Sequence, residues 1–261
     1  MPKFSANLTM LFNEVPFLER FGAARKAGFR AVEYVSPYEF YPGDIADRLK
    51  ANRLSQVLFN LPVGDWAAGE RGIAIFAERQ AEFRDGIATA IRYAKALDCQ
   101  QVNCLAGLAP AGADAAELRA TFVENLKFAS HALAAAGIRL LIEPINTRDM
   151  PGFFLNTSSQ ALAIIADVGS ANLFLQYDVY HMHIMEGAAI DTITRTFPLI
   201  KHVQIADYPG RHEPGTGEID YPGVLAHLDH LGYAGWVGAE YKPATTTAEG
   251  LGWLSRLSSS A

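Results

Sequence analysis

The chain has 261 residues, of which 50% are hydrophobic and 19% are charged, and its formal net charge is −6. This composition supplies one large core and argues against a disordered chain, and the acidic balance gives no electrostatic basis for binding nucleic acid or an anionic membrane surface. A small-molecule partner is therefore expected.

Residues 1–7 lack the basic region and apolar core of a signal peptide, and no apolar run approaches membrane-spanning length. We therefore expect a cytoplasmic protein that does not contact a membrane. The cysteines, Cys99 and Cys104, are too few for a disulfide scaffold and lack the spacing of a zinc site, so both are predicted to be reduced. No linker divides the chain, and residues 1–261 are predicted to form one domain.

Short apolar runs alternate with helical patterns along the whole chain. The predicted strands span residues 4–8, 29–35, 54–61, 101–105, 138–142, 172–178, 200–207 and 235–240. The predicted helices span residues 14–27, 44–52, 71–97, 114–136, 157–168, 190–196, 221–231 and 245–257, with Asp44 capping the second and Asn156 or Thr157 the fifth. Eight such alternations are typical of an α/β fold, a single (β/α)8 TIM barrel.

Four side chains with a metal-capable oxygen stand at or near the ends of the last four predicted strands. They are Glu143, Asp178, Gln204 and Glu240, at separations of 35, 26 and 36 residues. Any one of them could be a helix cap or a surface group. Because a barrel gathers its strand ends on one face, where active sites of this fold lie, we expect the four to converge there.

Three carboxylates and one amide oxygen form a ligand set that suits Mg²⁺ or Mn²⁺ better than zinc or copper. Such an ion could polarise a substrate carbonyl and stabilise the enediolate formed when a neighbouring C–H proton is removed. Glu143 and Glu240, on opposite walls, could then act as base and acid. The pattern predicts an isomerisation or epimerisation between adjacent carbons.

Further candidates follow the sixth and seventh strands. His181 and His183 are two residues apart and would point in different directions on a helix, so only one is expected to touch substrate, and proximity to Asp178 favours His181. Arg211 follows Pro209 and Gly210 in a polar loop, where it could bind a substrate carboxylate or lie in solvent.

Three segments, residues 141–146, 176–182 and 202–217, resemble the hydroxypyruvate isomerase family of xylose-isomerase-like barrels, and the resemblance covers nearly the whole chain. It implies a metal shell of Glu143, Asp178, Gln204 and Glu240, with the two glutamates also acting as the catalytic pair. It also implies that His181 and Arg211 contact substrate and that hydroxypyruvate is converted to tartronate semialdehyde. Related ketose epimerases usually carry a histidine at the position of Gln204.

Several alternatives remain open at this stage. A 2-oxo-tetronate isomerase or ketose 3-epimerase would use the same site, and a dehydratase would share its first step. An endonuclease-IV-like enzyme would need a histidine-rich zinc cluster and a basic groove, which seven histidines and a charge of −6 disfavour. A non-catalytic sugar-binding barrel would not require two opposed glutamates. A homo-oligomer is compatible with the sequence.

Overall fold

The computed structural model describes residues 3–259, so the first two residues of the segment tested for a signal peptide lie outside it. Its eight parallel strands form one sheet in the order β3-β2-β1-β8-β7-β6-β5-β4. The strands are β1 Lys3–Asn7, β2 Ala31–Glu33, β3 Ser55–Leu58, β4 Gln101–Cys104, β5 Arg139–Ile142, β6 Leu173–Asp178, β7 Ile200–Ile205 and β8 Trp236–Ala239.

The two ends of this sheet meet between β3 and β4. A bridge pairs Asn60 with Asn103. The Asn103 N–H donates to the Phe59 carbonyl at 3.0 Å, and the Leu61 N–H donates to the Asn103 carbonyl at 2.8 Å. These bonds bring the sheet to a nearly closed ring, and the predicted TIM barrel is confirmed.

Helices lie between successive strands and cover the outside of the barrel. They are α1 Phe17–Lys26, α2 Pro42–Asn52, α3 Gln80–Ala96, α4 Ala115–Ala135, α5 Ser158–Val168, α6 Val179–Glu186, α7 Ala189–Thr196, α8 Tyr221–His230, α9 Thr247–Gly250 and α10 Gly252–Ser259. The predicted cap of α5 is Thr157, whose hydroxyl accepts the Gln160 N–H at 3.2 Å. No helix within residues 3–259 combines the length and apolarity needed to cross a membrane.

Four predicted helix starts, at residues 14, 44, 71 and 245, differ from the observed starts by two residues or more, and two of them have a visible cause. The helix predicted from Asp44 begins at Pro42, whose ring favours the first helical position, and Asp44 lies inside the first turn rather than at the cap. The helix predicted from residue 71 begins at Gln80. Gly72 has φ +112, and a Cβ there would overlap the Leu105 carbonyl, so the backbone at this point packs against the loop after β4 and cannot be helical.

The structure also contains α6, a helix that the sequence pattern did not predict. It begins directly after the last residue of β6, and Asp178 caps it by accepting the His181 N–H at 3.1 Å. Cys99 and Cys104 are both buried and form no disulfide within the described part of the chain, as expected.

Candidate active site

Three carboxylates and one imidazole meet inside the C-terminal mouth of the barrel. Glu143 follows β5, Asp178 ends β6, His181 lies on α6 and Glu240 follows β8. One ligand atom from each lies within 4.8 Å of the other three. The structure therefore brings together three of the four side chains predicted as metal ligands and adds His181 to them.

Gln204 lies in the middle of the same wall, where its Cα pairs with that of Asp178 on β6 and that of Gly238 on β8. Its Oε1 accepts from the Gln176 amide at 2.6 Å, and its Nε2 donates to Glu33 Oε1 at 2.8 Å. Both ends of the amide are engaged within the protein, and a role for Gln204 as a metal ligand stays a prediction.

The three carboxylates are held where negative charge is unfavourable. Burial raises the pKa of Glu143 well above its usual value, and the nearby charges of Glu240 and Asp178 raise it further. Burial also raises the pKa of Asp178, and it raises the pKa of Glu240 to about 8, although Arg211 opposes both shifts. Such a group of carboxylates is stabilised by a cation placed among them.

An orphaned oxygen supports the same conclusion. Asp178 Oδ2 is buried, and within residues 3–259 no donor forms a hydrogen bond with it. A buried carboxylate oxygen without a donor is unfavourable unless a cation or another group compensates it. The clustered carboxylates of Glu143, Asp178 and Glu240 thus fit a divalent metal ion.

Arg211 lies in the site rather than in solvent. One of its terminal nitrogens, Nη2, donates to Glu240 Oε2 at 2.7 Å and lies 3.9 Å from Asp178 Oδ2. The guanidinium also lies over the Tyr180 ring, 5.4 Å from its centroid. Its Nε is buried with no hydrogen-bond partner in the described chain, so one donor remains for a substrate oxygen.

His181 presents a hydrogen-bond donor to the site. Its Nδ1 lies 2.6 Å from the Asn146 amide nitrogen. Asn146 Oδ1 already accepts the N–H groups two and three residues later, so its nitrogen must donate to His181. Burial and the charge of Arg211 lower the pKa of His181 well below its usual value, so the ring is neutral and carries its proton on Nε2. An Nε2–H group suits a substrate oxygen better than a metal ion.

His183 lies outside the cluster. Its Nε2 is 3.0 Å from Glu218 Oε1, and the Glu218 side chain is 61% exposed. The two-residue offset from His181 on α6 turns the side chain to another direction. This position agrees with the expectation that only one of the two histidines, His181, lies in the site.

Four amide side chains in and around the site were not identified from the sequence. Asn103 donates to Glu143 Oε2 at 2.9 Å, Asn7 donates to Glu240 Oε1 at 3.0 Å, Asn146 orients His181, and Gln176 bonds Gln204. A polar residue near the C-terminal end of a buried strand is the signal that could have revealed Asn7 and Asn103.

The sequence and the fold are similar to those of known proteins. Residues 21–257 match the family described as xylose isomerase-like TIM barrel. The chain is 52% identical over 254 residues to the 2-oxo-tetronate isomerase of Cupriavidus necator and to the hydroxypyruvate isomerase of Escherichia coli, covering 97% of this chain and 98% of each relative. The chain belongs to this family of isomerases. This isomerase also superposes on a crystal structure described as AP endonuclease, family 2 from Brucella melitensis, with TM-score 0.96, 46% identity, and coverage of 98% of this chain and 99% of that one.

Family membership makes the protein an enzyme of the intramolecular oxidoreductase type, as the resemblance implied. The isomerase carries its three clustered carboxylates at the C-terminal ends of β5, β6 and β8, at the face where barrel enzymes hold their catalytic groups.

Proposed function

We propose that this isomerase interconverts hydroxypyruvate and tartronate semialdehyde. The observation that carries the proposal is the placement of Glu143 and Glu240 in one buried cluster, with an oxygen of each within 4.8 Å of the other. The reaction moves one proton from C3 to C2 of a three-carbon acid. It also moves the hydroxyl proton from the oxygen on C3 to the oxygen on C2.

The two glutamates suit the carbon-to-carbon transfer. One takes the proton from the hydroxymethyl carbon as a base, and the other returns a proton to the neighbouring carbon as an acid. Asn103 holds Glu143, while Asn7 and Arg211 hold Glu240, so both carboxylates are fixed before substrate enters.

Two hydrogen-bond donors beside the carboxylates, Arg211 and His181, are placed to bind and orient the substrate acid. Arg211 Nη2 lies 3.5 Å from His181 Nε2, so a guanidinium and an imidazole N–H point into the same space. We assign the substrate carboxylate to Arg211 and a substrate oxygen to His181. Glu143, Asp178, Gln204 and Glu240 would hold Mg²⁺ or Mn²⁺, which supplies positive charge to polarise the substrate carbonyl.

An NMR assay of the purified protein tests the proposal. Hydroxypyruvate is supplied in D₂O to protein loaded with Mn²⁺ or Mg²⁺, and the product is identified from its NMR spectrum. The same reaction with EDTA is the control. We expect metal-dependent formation of tartronate semialdehyde, with deuterium at C2 when the transferred proton exchanges with solvent. Folded, metal-loaded protein that leaves hydroxypyruvate unchanged would exclude this substrate.

A 2-oxo-tetronate is the second candidate, because the relative from Cupriavidus necator carries that name at 52% identity. The same two glutamates would move the proton in a four-carbon acid. Competing the two acids in one assay gives the ratio of their kcat/KM values, and the larger value identifies the preferred chain length.

DNA repair is disfavoured despite the name of the similar crystal structure. The cluster in the described chain contains three carboxylates and one histidine, whereas a histidine-rich zinc centre would be expected for that chemistry. The net charge of −6 also gives no basis for binding a phosphate backbone.

A further inference from the structure

Glu33 is a buried carboxylate for which the proton transfer gives no role. It is the last residue of β2, and its side chain is fully buried inside the barrel. Its oxygens lie 2.8 Å from Ser5 Oγ, 2.8 Å from Gln204 Nε2 and 2.9 Å from His202 Nε2. A fully buried carboxylate is unfavourable unless donors compensate it, and here Ser5 and Gln204 donate to it while His202 lies beside it.

Strand β8, which is separated from β2 only by β1, leaves room for this carboxylate. Gly238 lies on β8, where its Cα pairs with that of Gln204. A Cβ at position 238 would overlap both carboxylate oxygens of Glu33. Glycine at this point of the strand therefore allows Glu33 to reach across the interior to Gln204.

An ionised carboxylate only accepts hydrogen bonds, so it fixes the orientation of an amide that meets it. Gln204 has two ends, and Glu33 takes the Nε2 end. The Oε1 end is then directed away from Glu33, where it accepts from Gln176. Gln176 is itself held by a side-chain hydrogen bond to Glu143, so Glu33 and Gln176 fix the Gln204 amide from its two ends.

Asn7, the other amide near Glu33, does not depend on it in this way. Asn7 Nδ2 is 3.3 Å from Glu33 Oε1 and 3.0 Å from Glu240 Oε1. Its Oδ1 accepts the Thr9 N–H at 3.0 Å, and this bond alone orients the amide. The effect of Glu33 on the site therefore passes through Gln204.

We propose that Glu33 is a positioning residue that holds the Gln204 amide with its oxygen available to the metal ion. The inference rests on the proposed function, in which Gln204 is a ligand. It assigns the contribution of Glu33 to the reach of its carboxylate and not to its negative charge. Residues that orient a metal ligand typically change metal affinity by about 10- to 100-fold when they are altered.

Two substitutions separate reach from charge. Glu33→Gln keeps the side-chain length and one accepting oxygen but removes the charge. Glu33→Asp keeps the charge but withdraws the carboxylate by the length of one C–C bond, about 1.5 Å, from Gln204. We expect Mn²⁺, titrated by calorimetry, to bind Glu33→Gln almost as tightly as wild type and Glu33→Asp at least about tenfold more weakly. A charge effect would produce the reverse order and would overturn the proposal.

Gln204→Met completes a double-mutant cycle with the two variants of Glu33, because methionine has a similar length but no amide to orient. The difference in Mn²⁺ affinity between the Asp and Gln variants at position 33 should disappear when each is combined with Gln204→Met. A difference that persists in this background would show that Glu33 acts by another route. Thermal unfolding of each metal-free variant confirms that the measured protein is folded.

Glu14→Asp is a matched control. Glu14 also accepts hydrogen bonds, from the N–H and hydroxyl of Thr247, but within residues 3–259 it forms no hydrogen bond with Gln204. Shortening the Glu14 side chain by one carbon should therefore leave Mn²⁺ affinity unchanged. Wild-type protein that binds Mn²⁺ but does not turn over hydroxypyruvate would contradict the proposed substrate and leave the role of Glu33 intact, whereas wild-type protein that binds no Mn²⁺ would overturn both.

Discussion

Glu143 is the residue whose removal tests the chemistry most directly. Glu143→Gln keeps the side-chain shape but cannot accept a proton from carbon. We expect kcat to fall by about 10²- to 10⁴-fold, the range of general acid–base catalysis, with little loss of thermal stability because the change removes a buried negative charge next to Asp178 and Glu240.

The kcat of Glu143→Gln and deuterium incorporation in D₂O are the measurements. Glu218→Gln serves as the control, since Glu218 is 61% exposed and contacts His183 outside the cluster. Full turnover by Glu143→Gln, with a normal control, would show that Glu143 is neither the base nor the acid of the reaction.

His181 separates a substrate contact from a metal ligand. Because Asn146 takes the Nδ1 side of the ring, we assign the Nε2–H group to substrate. His181→Leu should therefore raise the KM for hydroxypyruvate by about 5- to 150-fold, equivalent to the loss of one buried hydrogen bond of about 1–3 kcal/mol. Mn²⁺ affinity should change little, and a loss of that affinity larger than the change in KM would make His181 a ligand instead.

At the scale of elements, the strands were predictable to within a few residues because each is a short apolar run bounded by turn residues. The barrel followed from their number, and Glu143, Asp178 and Glu240 followed from their places at strand ends. Helix α3 was extended too far because the contact between Gly72 and the loop after β4 is made by residues distant in sequence.

The other features that the sequence did not predict also depend on contacts between distant segments of the chain. Helix α6 is eight residues long and lacks a clear apolar stripe, and it is capped by Asp178, a residue assigned only to chemistry. Asn146 and Gln176 were missed because their roles depend on which atom each amide turns towards another chain segment. Spacing along a sequence carries no information on amide orientation.

The loop between β7 and α8 places Arg211, and one side chain organises it. The Asp207 carboxylate accepts the backbone N–H groups of Tyr208 at 2.9 Å, Gly215 at 2.6 Å and Ile219 at 3.2 Å. Asp207→Asn would turn an amide donor towards some of these N–H groups and should destabilise the protein by about 1–3 kcal/mol.

Because the loop carries Arg211, we also expect Asp207→Asn to increase the KM for hydroxypyruvate while Mn²⁺ affinity stays close to that of wild type. Chemical denaturation measures the free energy of unfolding, and steady-state kinetics measure KM. An unchanged KM in a destabilised variant would show that Arg211 is positioned by its own contacts with Glu240 and Lys242.

For the whole molecule, the cluster couples metal binding, folding and pH. The pKa of Glu240 is about 8 in the folded, metal-free protein, well above the usual value for glutamate, and those of Glu143 and Asp178 are also raised by burial. The folded state therefore binds protons more tightly than the unfolded state. The stability contributed by this difference is complete at low pH and is lost as pH rises from the usual carboxylate range towards 8.

A divalent ion reverses this dependence because it must displace those protons. Between pH 6 and 8 we expect Mn²⁺ affinity to rise by up to about tenfold per pH unit for each proton released. Calorimetric titrations in two buffers of different ionisation enthalpy count the protons, and Glu240→Gln should reduce the count. Wild-type affinity that stays constant across this range would mean that the carboxylates are already ionised before the metal binds, and that Arg211 alone balances their charge.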